Sequence, residues 1–205
     1  MGRMSASSIP AGFALHPGAL DRAAQERLLT EVLALAEAAP FHRQTVPGGR
    51  AMSVLNTSLG TLGWVSDAGG YRYQALHPQT GRPWPAIPDS LLGLWRRYAD
   101  AERTPDSCLV NLYREGAKLG LHQDRDEAEF SAPVLSVSLG DTALFRLGGT
   151  RRADPTASFR LASGDVCVLA GEARLAFHGI DRVISGSSTL VPGGGRINLT
   201  LRRAA

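Results

Sequence analysis

The chain has 205 residues, 43% of them hydrophobic and 20% charged, with a formal net charge of +3. That length suits one domain with a full hydrophobic core. The composition is that of an ordinary globular protein and excludes a disordered or collagen-like chain, while no apolar run reaches the length of a membrane-spanning helix.

A pI near 9.2 permits a polyanionic partner without requiring one. The basic residues are almost all arginine, Lys118 being the only lysine. A GC-rich coding bias explains most of these arginines more simply than bidentate anion recognition does. Cys108 and Cys167 each sit in an apolar run, SCLVNLY and DVCVLAG. They read as small buried hydrophobes in a reducing compartment. No CxxC occurs, so a structural zinc is not expected. The opening MGRMSASSIPAG lacks the apolar core of a secretory signal, and the expected location is the cytoplasm.

In chain order, residues 1–18 read as a flexible lead-in, and residues 19–205 as a single domain. Leu28, Leu29, Val32, Leu33 and Ala36 recur at helical spacing between Asp21, an N-cap residue, and Pro40. Residues 45–87 are rich in Gly and Pro and carry Trp64, Tyr71, Tyr73 and Trp84, which predicts short strands and loops. A second helix is predicted from Ser90 to about Ala101, with Leu91, Leu92, Leu94, Trp95 and Tyr98 on its apolar side. From Ser107 onward, short strands are predicted at 108–113, 119–122, 134–139, 143–147, 158–161, 166–169, 175–178, 188–191 and 196–201, separated by glycines. So many short strands suggest a sandwich, jelly roll or barrel. The expected fold is α+β, mainly β, with N-terminal helices packed on a C-terminal β-roll.

Within that roll, His122-Gln123-Asp124 places an imidazole and a carboxylate two residues apart on one strand face. A second imidazole, His178, follows 54 positions after Asp124. Two histidines and one carboxylate on one side of a metal, with the other side open, form the facial triad of non-haem Fe(II) oxygenases. An HxD pair alone is more often a surface hydrogen-bonded pair. Here both histidines end apolar runs, so the two strand ends can meet at a cavity mouth. His16, His42 and His77 lie in loop-like segments without a matching partner and read as solvent-exposed or structural.

An oxygenase of this kind needs electrons, usually from 2-oxoglutarate, whose distal carboxylate needs a cation. In RINLTLR (196–202), Arg196, Asn198, Thr200 and Arg202 share one strand face. Burying that face without an anion is costly. The alternative is an exposed edge strand carrying ordinary surface arginines.

At these residues the chain resembles the AlkB family of Fe(II)/2-oxoglutarate-dependent nucleic-acid dealkylases, its bacterial DNA-repair members in particular. PGGRAMSV, LGWVSDAGGYRY, HPQTGRPWPAIP, NLYREGAKLGLHQDRDE, PVLSVSLGDTALFRLGG, the Gly164-Asp165-Val166 turn and RINLTLR carry the resemblance in order, over about residues 47–202. The resemblance implies a double-stranded β-helix (jelly roll) at about 107–203, with a nucleotide-recognition lid at about 45–87. It implies Fe(II), with 2-oxoglutarate and O2 as co-substrates, and oxidative demethylation of 1-methyladenine- or 3-methylcytosine-type bases in DNA, with RNA open. By the same resemblance His122, Asp124 and His178 would hold iron. Asn111 and Tyr113 would hydrogen-bond 2-oxoglutarate, Arg196 would pair with its distal carboxylate, and Arg202 would lie near the chelating end. Ser136 and Asn198 would line that pocket.

On the substrate side the resemblance makes Trp64 the aromatic that stacks on a flipped base opposite His122. A cationic alkylated ring suits such a π face. Tyr71, Arg72 and Tyr73 would contact the nucleotide and its phosphates, Asp126 the exocyclic nitrogen of the base with Glu127 assisting, and Arg152 the bound strand. Read without the resemblance, Trp64, Tyr71 and Tyr73 are core aromatics of the lid and Arg152 is a solvated turn residue. The implied partner is alkylated single-stranded DNA and the implied working unit a monomer. Leu55 and Asn56 depart from the pattern, standing where apolar or Met-type lid residues are expected, and the stretch after His178 diverges. Two rival readings are a dioxygenase acting on a protein or small molecule and a jelly-roll binding protein without catalysis.

Overall fold

The computed structural model describes residues 9–100 and 102–205. Its framework is two antiparallel sheets facing each other. The larger is built from β1 (Phe13–His16), β2 (His42–Thr45), β3 (Ala51–Gly60), β6 (Ser107–Tyr113), β8 (Val134–Gly140), β11 (Val166–Leu169) and β13 (Arg196–Arg202), in the order β1-β11-β8-β13-β6-β3-β2. The smaller runs β10-β9-β12-β7, from β7 (Leu119–His122), β9 (Ala143–Leu147), β10 (Ala157–Leu161) and β12 (His178–Val183). A separate hairpin pairs β4 (Gly63–Asp67) with β5 (Gly70–Gln74). This is the expected jelly roll, mainly β with two α-helices among the described residues.

Strand alternation sorts the large sheet into two faces. Cys108, Val110, Leu112, Ile197, Leu199 and Leu201 point to one side and join the main apolar cluster. That side is covered by α1 (Arg22–Ala38) and α2 (Asp89–Tyr98), through Leu28, Leu29, Val32, Leu91 and Trp95. The Asp21 carboxylate accepts from the Ala24 amide at 2.8 Å and caps α1 as expected. Asn111, Tyr113, Arg196, Asn198, Thr200 and Arg202 occupy the opposite face and line a cavity between the sheets.

Four expectations need correction. Within the lead-in, Phe13–His16 is a strand paired with β11, and the Phe13 ring lies against Phe145 and Phe159; the rest of that expectation, at 1–8, lies outside the described residues. The segment 175–178 is not a strand: Gly171–Leu175 forms a 3-10 turn and β12 begins at His178. Ala176 of this segment and Ala173 of the turn before it pack into the core between the sheets. Residues 188–191 form a loop in which Leu190 and Val191 are buried. The Asp141 carboxylate ties that loop by accepting from the amides of Gly186, Ser188 and Gly195. Finally, β3 belongs to the large sheet through its ladder with β6. Of residues 45–87, Thr45 and Ala51–Gly60 belong to the large sheet, and the β4–β5 hairpin stands apart from both main sheets.

Two histidines read as loop residues also sit in strands. His16 lies in β1 with its ring against Tyr98, and His42 lies in β2, buried beside His77 with ring centroids 4.9 Å apart. No helix among the described residues is long and apolar enough to cross a membrane.

Candidate active site

β7 and β12 are neighbours, and their register sets His178 opposite His122. The approach depends on Gly179, where an added Cβ would stand 2.6 Å from the Leu119 carbonyl oxygen and 2.8 Å from that of Gly120. Asp124 follows just beyond the end of β7. Its Oδ1 lies 3.7 Å from His122 Nε2, and its Oδ2 lies 3.8 Å from His178 Nε2. One ligand atom from each of the three residues falls within 4.8 Å of the others.

The surroundings fix the chemical state of this triangle. His122 Nδ1 lies 2.9 Å from the Gly120 carbonyl, and His178 Nδ1 lies 3.0 Å from that of Ala176. A carbonyl only accepts, so each Nδ1 carries a proton, and Nε2 is the ring nitrogen nearer Asp124. Burial, helped by His122, lowers the His178 pKa to about 4, so this imidazole is neutral at pH 7. Burial alone would raise the pKa of Asp124. The Arg202 guanidinium, followed by the two imidazoles, overrules it and holds the carboxyl well below the usual carboxylate range. Two imidazole nitrogens and one ionised carboxylate, facing a cavity, are a donor set that can hold Fe(II).

Behind the triangle the last strand supplies two different arginines. Arg202 donates to Asp124 Oδ2 from Nε at 3.1 Å and from Nη2 at 2.9 Å, and lies 3.3 Å from Glu127. Burial works against its charge, but Asp124, Tyr73 and Glu127 outweigh that and raise its pKa. Arg196 is 1% exposed and makes one side-chain hydrogen bond, from Nη2 to Ser138 Oγ at 3.0 Å. Its Nε and Nη1 are buried without partners, and burial lowers its pKa. A buried guanidinium with two free donors fits a carboxylate that arrives with a ligand.

Residues 12–202 match the 2OG-Fe(II) oxygenase superfamily. The chain is 65% identical over 193 residues to an alpha-ketoglutarate-dependent dioxygenase AlkB homolog of Caulobacter vibrioides, covering 94% of this chain and 88% of that protein. It is 45% identical over 185 residues to AlkB of Escherichia coli, covering 88% and 85%. The chain belongs to the bacterial AlkB family of 2OG-Fe(II) oxygenases. It also superimposes on the structure of OsALKBH1 with a TM-score of 0.82 at 30% identity, covering 94% of this chain and 96% of that one. As an AlkB-family member it is an Fe(II)-dependent dioxygenase with 2-oxoglutarate and O2 as co-substrates.

In this AlkB-family cavity, of about 490 Å³, most of the residues singled out in the sequence come together. His122, Asp124, His178, Asn111, Tyr113, Ser136, Arg196, Asn198 and Arg202 all line it, as do Trp64, Tyr71, Tyr73, Asp126 and Arg152. Tyr113 is buried, which pushes its phenol up to about 12 and keeps it a neutral donor. Asn198 Nδ2 donates to Ser136 Oγ at 2.6 Å and to the Val137 carbonyl at 3.1 Å. At the mouth, Trp64 is stacked on Tyr71 (centroids 5.6 Å apart, planes 14° apart) and its Nε1 donates to Asp126 at 2.7 Å. Tyr73 donates to Glu127 Oε1 at 2.7 Å. The Arg152 guanidinium lies over the Phe177 ring at 5.0 Å. Arg72 is the exception: it does not line the cavity, and the Asp67 carboxylate takes its guanidinium at 2.8 and 3.0 Å.

Sequence reasoning missed Arg174 and undervalued Glu127. Arg174 is buried in the 3-10 turn, donates to the carbonyls of Asp124 and Ala132 at 2.9 Å, and lies 3.3 Å from Glu127. An arginine in an otherwise alanine-rich GEARLAF run was the available signal. Glu127 joins Tyr73, Arg174 and Arg202 into one buried charge network.

Proposed function

We propose that this chain removes alkyl groups oxidatively from N-alkylated bases of the 1-methyladenine and 3-methylcytosine type in DNA, releasing formaldehyde. Single-stranded alkylated DNA is the proposed substrate and a monomer the working unit. The observation that carries this reading is the shared cavity. It holds the His122, Asp124 and His178 triangle together with the Trp64–Tyr71 stack and the Asp126 carboxylate.

In this proposal His122 Nε2, His178 Nε2 and one Asp124 oxygen hold Fe(II). The bound metal, with 2-oxoglutarate and O2, supplies hydroxylation of the N-methyl carbon, and the hydroxymethyl base falls apart to formaldehyde while the co-substrate leaves as succinate and CO2. The chain's own residues position the reactants. Arg196 takes the distal carboxylate of 2-oxoglutarate with its free Nε and Nη1 donors. Asn111 and Tyr113 donate to the co-substrate from β6. Arg202 keeps Asp124 ionised and oriented and faces the chelating end. Val134, Phe145 and Ile180 line the same cavity and exclude water from it.

A base reaches this depth only outside the stack, which favours single strands or flipped nucleotides. The Trp64 ring offers it a π face, and the Asp126 carboxylate offers an acceptor for its exocyclic amine. The β4–β5 hairpin that carries Trp64, Tyr71 and Tyr73 then acts as the recognition lid.

The test is formaldehyde release from a 3-methylcytosine oligonucleotide, with Fe(II) and 2-oxoglutarate present. Release stoichiometric with succinate is expected. Succinate formation without formaldehyde from any methylated oligonucleotide would point to a protein or small-molecule substrate. Absence of both would point to a binding protein.

A further inference from the structure

Three asparagines stand in one row across β3, β6 and β13. Asn56 pairs in register with Asn111, and Asn111 with Asn198. Side chains directly opposite on neighbouring strands share a face, and all three line the cavity. The outer member is anchored at both ends of its amide. Asn198 Nδ2 donates to Ser136 and Val137, and its Oδ1 accepts from Thr200 Oγ1 at 3.0 Å. The Asn111 carbonyl is taken by Asn56 Nδ2. What remains of the row for a ligand is the Asn111 amide nitrogen with its hydrogens.

We infer that Asn56 is a positioning residue that locks the Asn111 side-chain amide with its N–H donors toward 2-oxoglutarate. The inference rests on the proposed co-substrate site. A primary amide is nearly symmetric in shape, so packing alone does not decide which end faces the cavity. Turned by 180°, Asn111 would present its carbonyl oxygen to a carboxylate, and attraction would become repulsion. In the structure Asn56 presents its Nδ2 to that oxygen, which leaves the Asn111 N–H groups for the cavity. The arrangement is costly, which makes it informative. Asn56 is 1% exposed, and its own Oδ1 is buried with no partner. A buried acceptor left unmade is unfavourable, and the apolar residue expected at this position would avoid the cost while filling the space.

The experiment compares Asn56→Leu, Asn56→Asp and Asn111→Leu, singly and as double variants with Asn111→Leu, in the iron-loaded enzyme. It reads the KM for 2-oxoglutarate, kcat, and the rise in Tm that 2-oxoglutarate alone produces. Leu removes the donor, and a KM about fivefold higher is expected with kcat little changed, the value of one neutral hydrogen bond. Asp accepts only, so it binds the Asn111 N–H groups and turns the carbonyl to the cavity. There a KM roughly 10- to 100-fold higher is expected, the range of a hydrogen bond to a charged group. The 2-oxoglutarate-induced rise in Tm shrinks in the same order.

The double variants separate orientation from simple charge. If Asn56 acts through Asn111, both of its substitutions lose their effect on KM once Asn111 is Leu. Persistence of the full Asp effect in that background would overturn the inference, because repulsion of the anion needs no Asn111. So would an unchanged KM and Tm rise in Asn56→Leu when Asn111→Leu weakens both. If Asn111→Leu itself leaves 2-oxoglutarate binding intact, the proposed co-substrate site fails first. Should Asn56→Asp not fold, Asn56→Leu and its double variant decide alone.

Discussion

Replacing Arg196 by Met should make the ligand-free protein more stable while abolishing its response to 2-oxoglutarate. The magnitude follows from the surroundings. Arg196 is 1% exposed, holds one hydrogen bond at 3.0 Å to Ser138, and leaves Nε and Nη1 buried and unpaired. Replacing buried ionic groups by packed apolar side chains of similar volume often stabilises by about 1–4 kcal/mol. In a chain of this size each kcal/mol raises Tm by about 2–4 °C. With 2-oxoglutarate the order reverses. Two hydrogen bonds to a charged group are worth about 3 kcal/mol or more together, which is a loss of at least about 100-fold in affinity. Saturation of the native protein at 100 times Kd adds about 2.7 kcal/mol of stability, and the variant gains almost none of it. Differential scanning fluorimetry with and without 2-oxoglutarate reads both effects in one experiment. An Arg196→Met protein that melts lower than the native one without ligand, yet still shifts upward with 2-oxoglutarate, would refute the reasoning.

Three further outcomes are expected. Trp64→Ala should weaken binding of a 1-methyladenine oligonucleotide about 5- to 150-fold, the range of one base–aromatic stack, while the 2-oxoglutarate-induced rise in Tm stays; fluorescence anisotropy checks the first and thermal melting the second. Asp124→Asn should lose bound iron, measured by metal analysis, and should lower the Tm of the metal-free protein, since breaking a buried pair costs about 3 kcal/mol and Arg202 loses its closest carboxylate. His42 is buried beside His77, and burial first and His77 second lower its pKa. The unfolded chain therefore takes up the proton first. Stability from this group is complete above the ordinary value of about 6.5 and falls as pH drops below it, so Tm should decline from pH 7 to 5 less steeply in His42→Asn than in the native protein; parallel curves would exclude the role.

The parts of the fold legible in the sequence were those with a strict period or a strong local signal. The alternation in RINLTLR placed Arg196, Asn198, Thr200 and Arg202 on one face, and the register of β13 with β6 and β8 puts that face into the cavity. Helix α1 was legible from its apolar spacing and the Asp21 cap. The two segments misread as strands share one feature: their apolar residues are buried by loops or turns. Leu190 and Val191 are held by a loop fastened to Asp141, and Ala173 and Ala176 by a 3-10 turn. Burial without a ladder leaves the same apolar run as a strand. Arg174 and Asn56 escaped for a different reason. Each acts through a partner distant in the chain, 50 residues away for Arg174 with Asp124 and 55 for Asn56 with Asn111.

The opposite fates of Arg196 and Arg202 divide the site into a part assembled in advance and a part completed by its ligand. Arg202 is charge-balanced before anything binds, since Asp124 and Glu127 lie within 3.3 Å. It sets the ionisation of the carboxylate proposed to hold the metal and ties it to Tyr73 of the hairpin through Glu127. Arg196, on the same face of the same strand six residues away, has no such carboxylate at its free donors, so its charge is a cost until an anion arrives. A cavity with both arginines balanced would hold a metal but have little pull on a dicarboxylate. With neither balanced, it would leave Asp124 without its main stabilising charge. The asymmetry therefore couples the two ligands in space while keeping their energetics apart: metal binding draws on a prepared set, and co-substrate binding on relief of the strain left at Arg196. Loss of 2-oxoglutarate affinity in Arg196→Met should accordingly leave iron content unchanged, whereas Asp124→Asn should lower both.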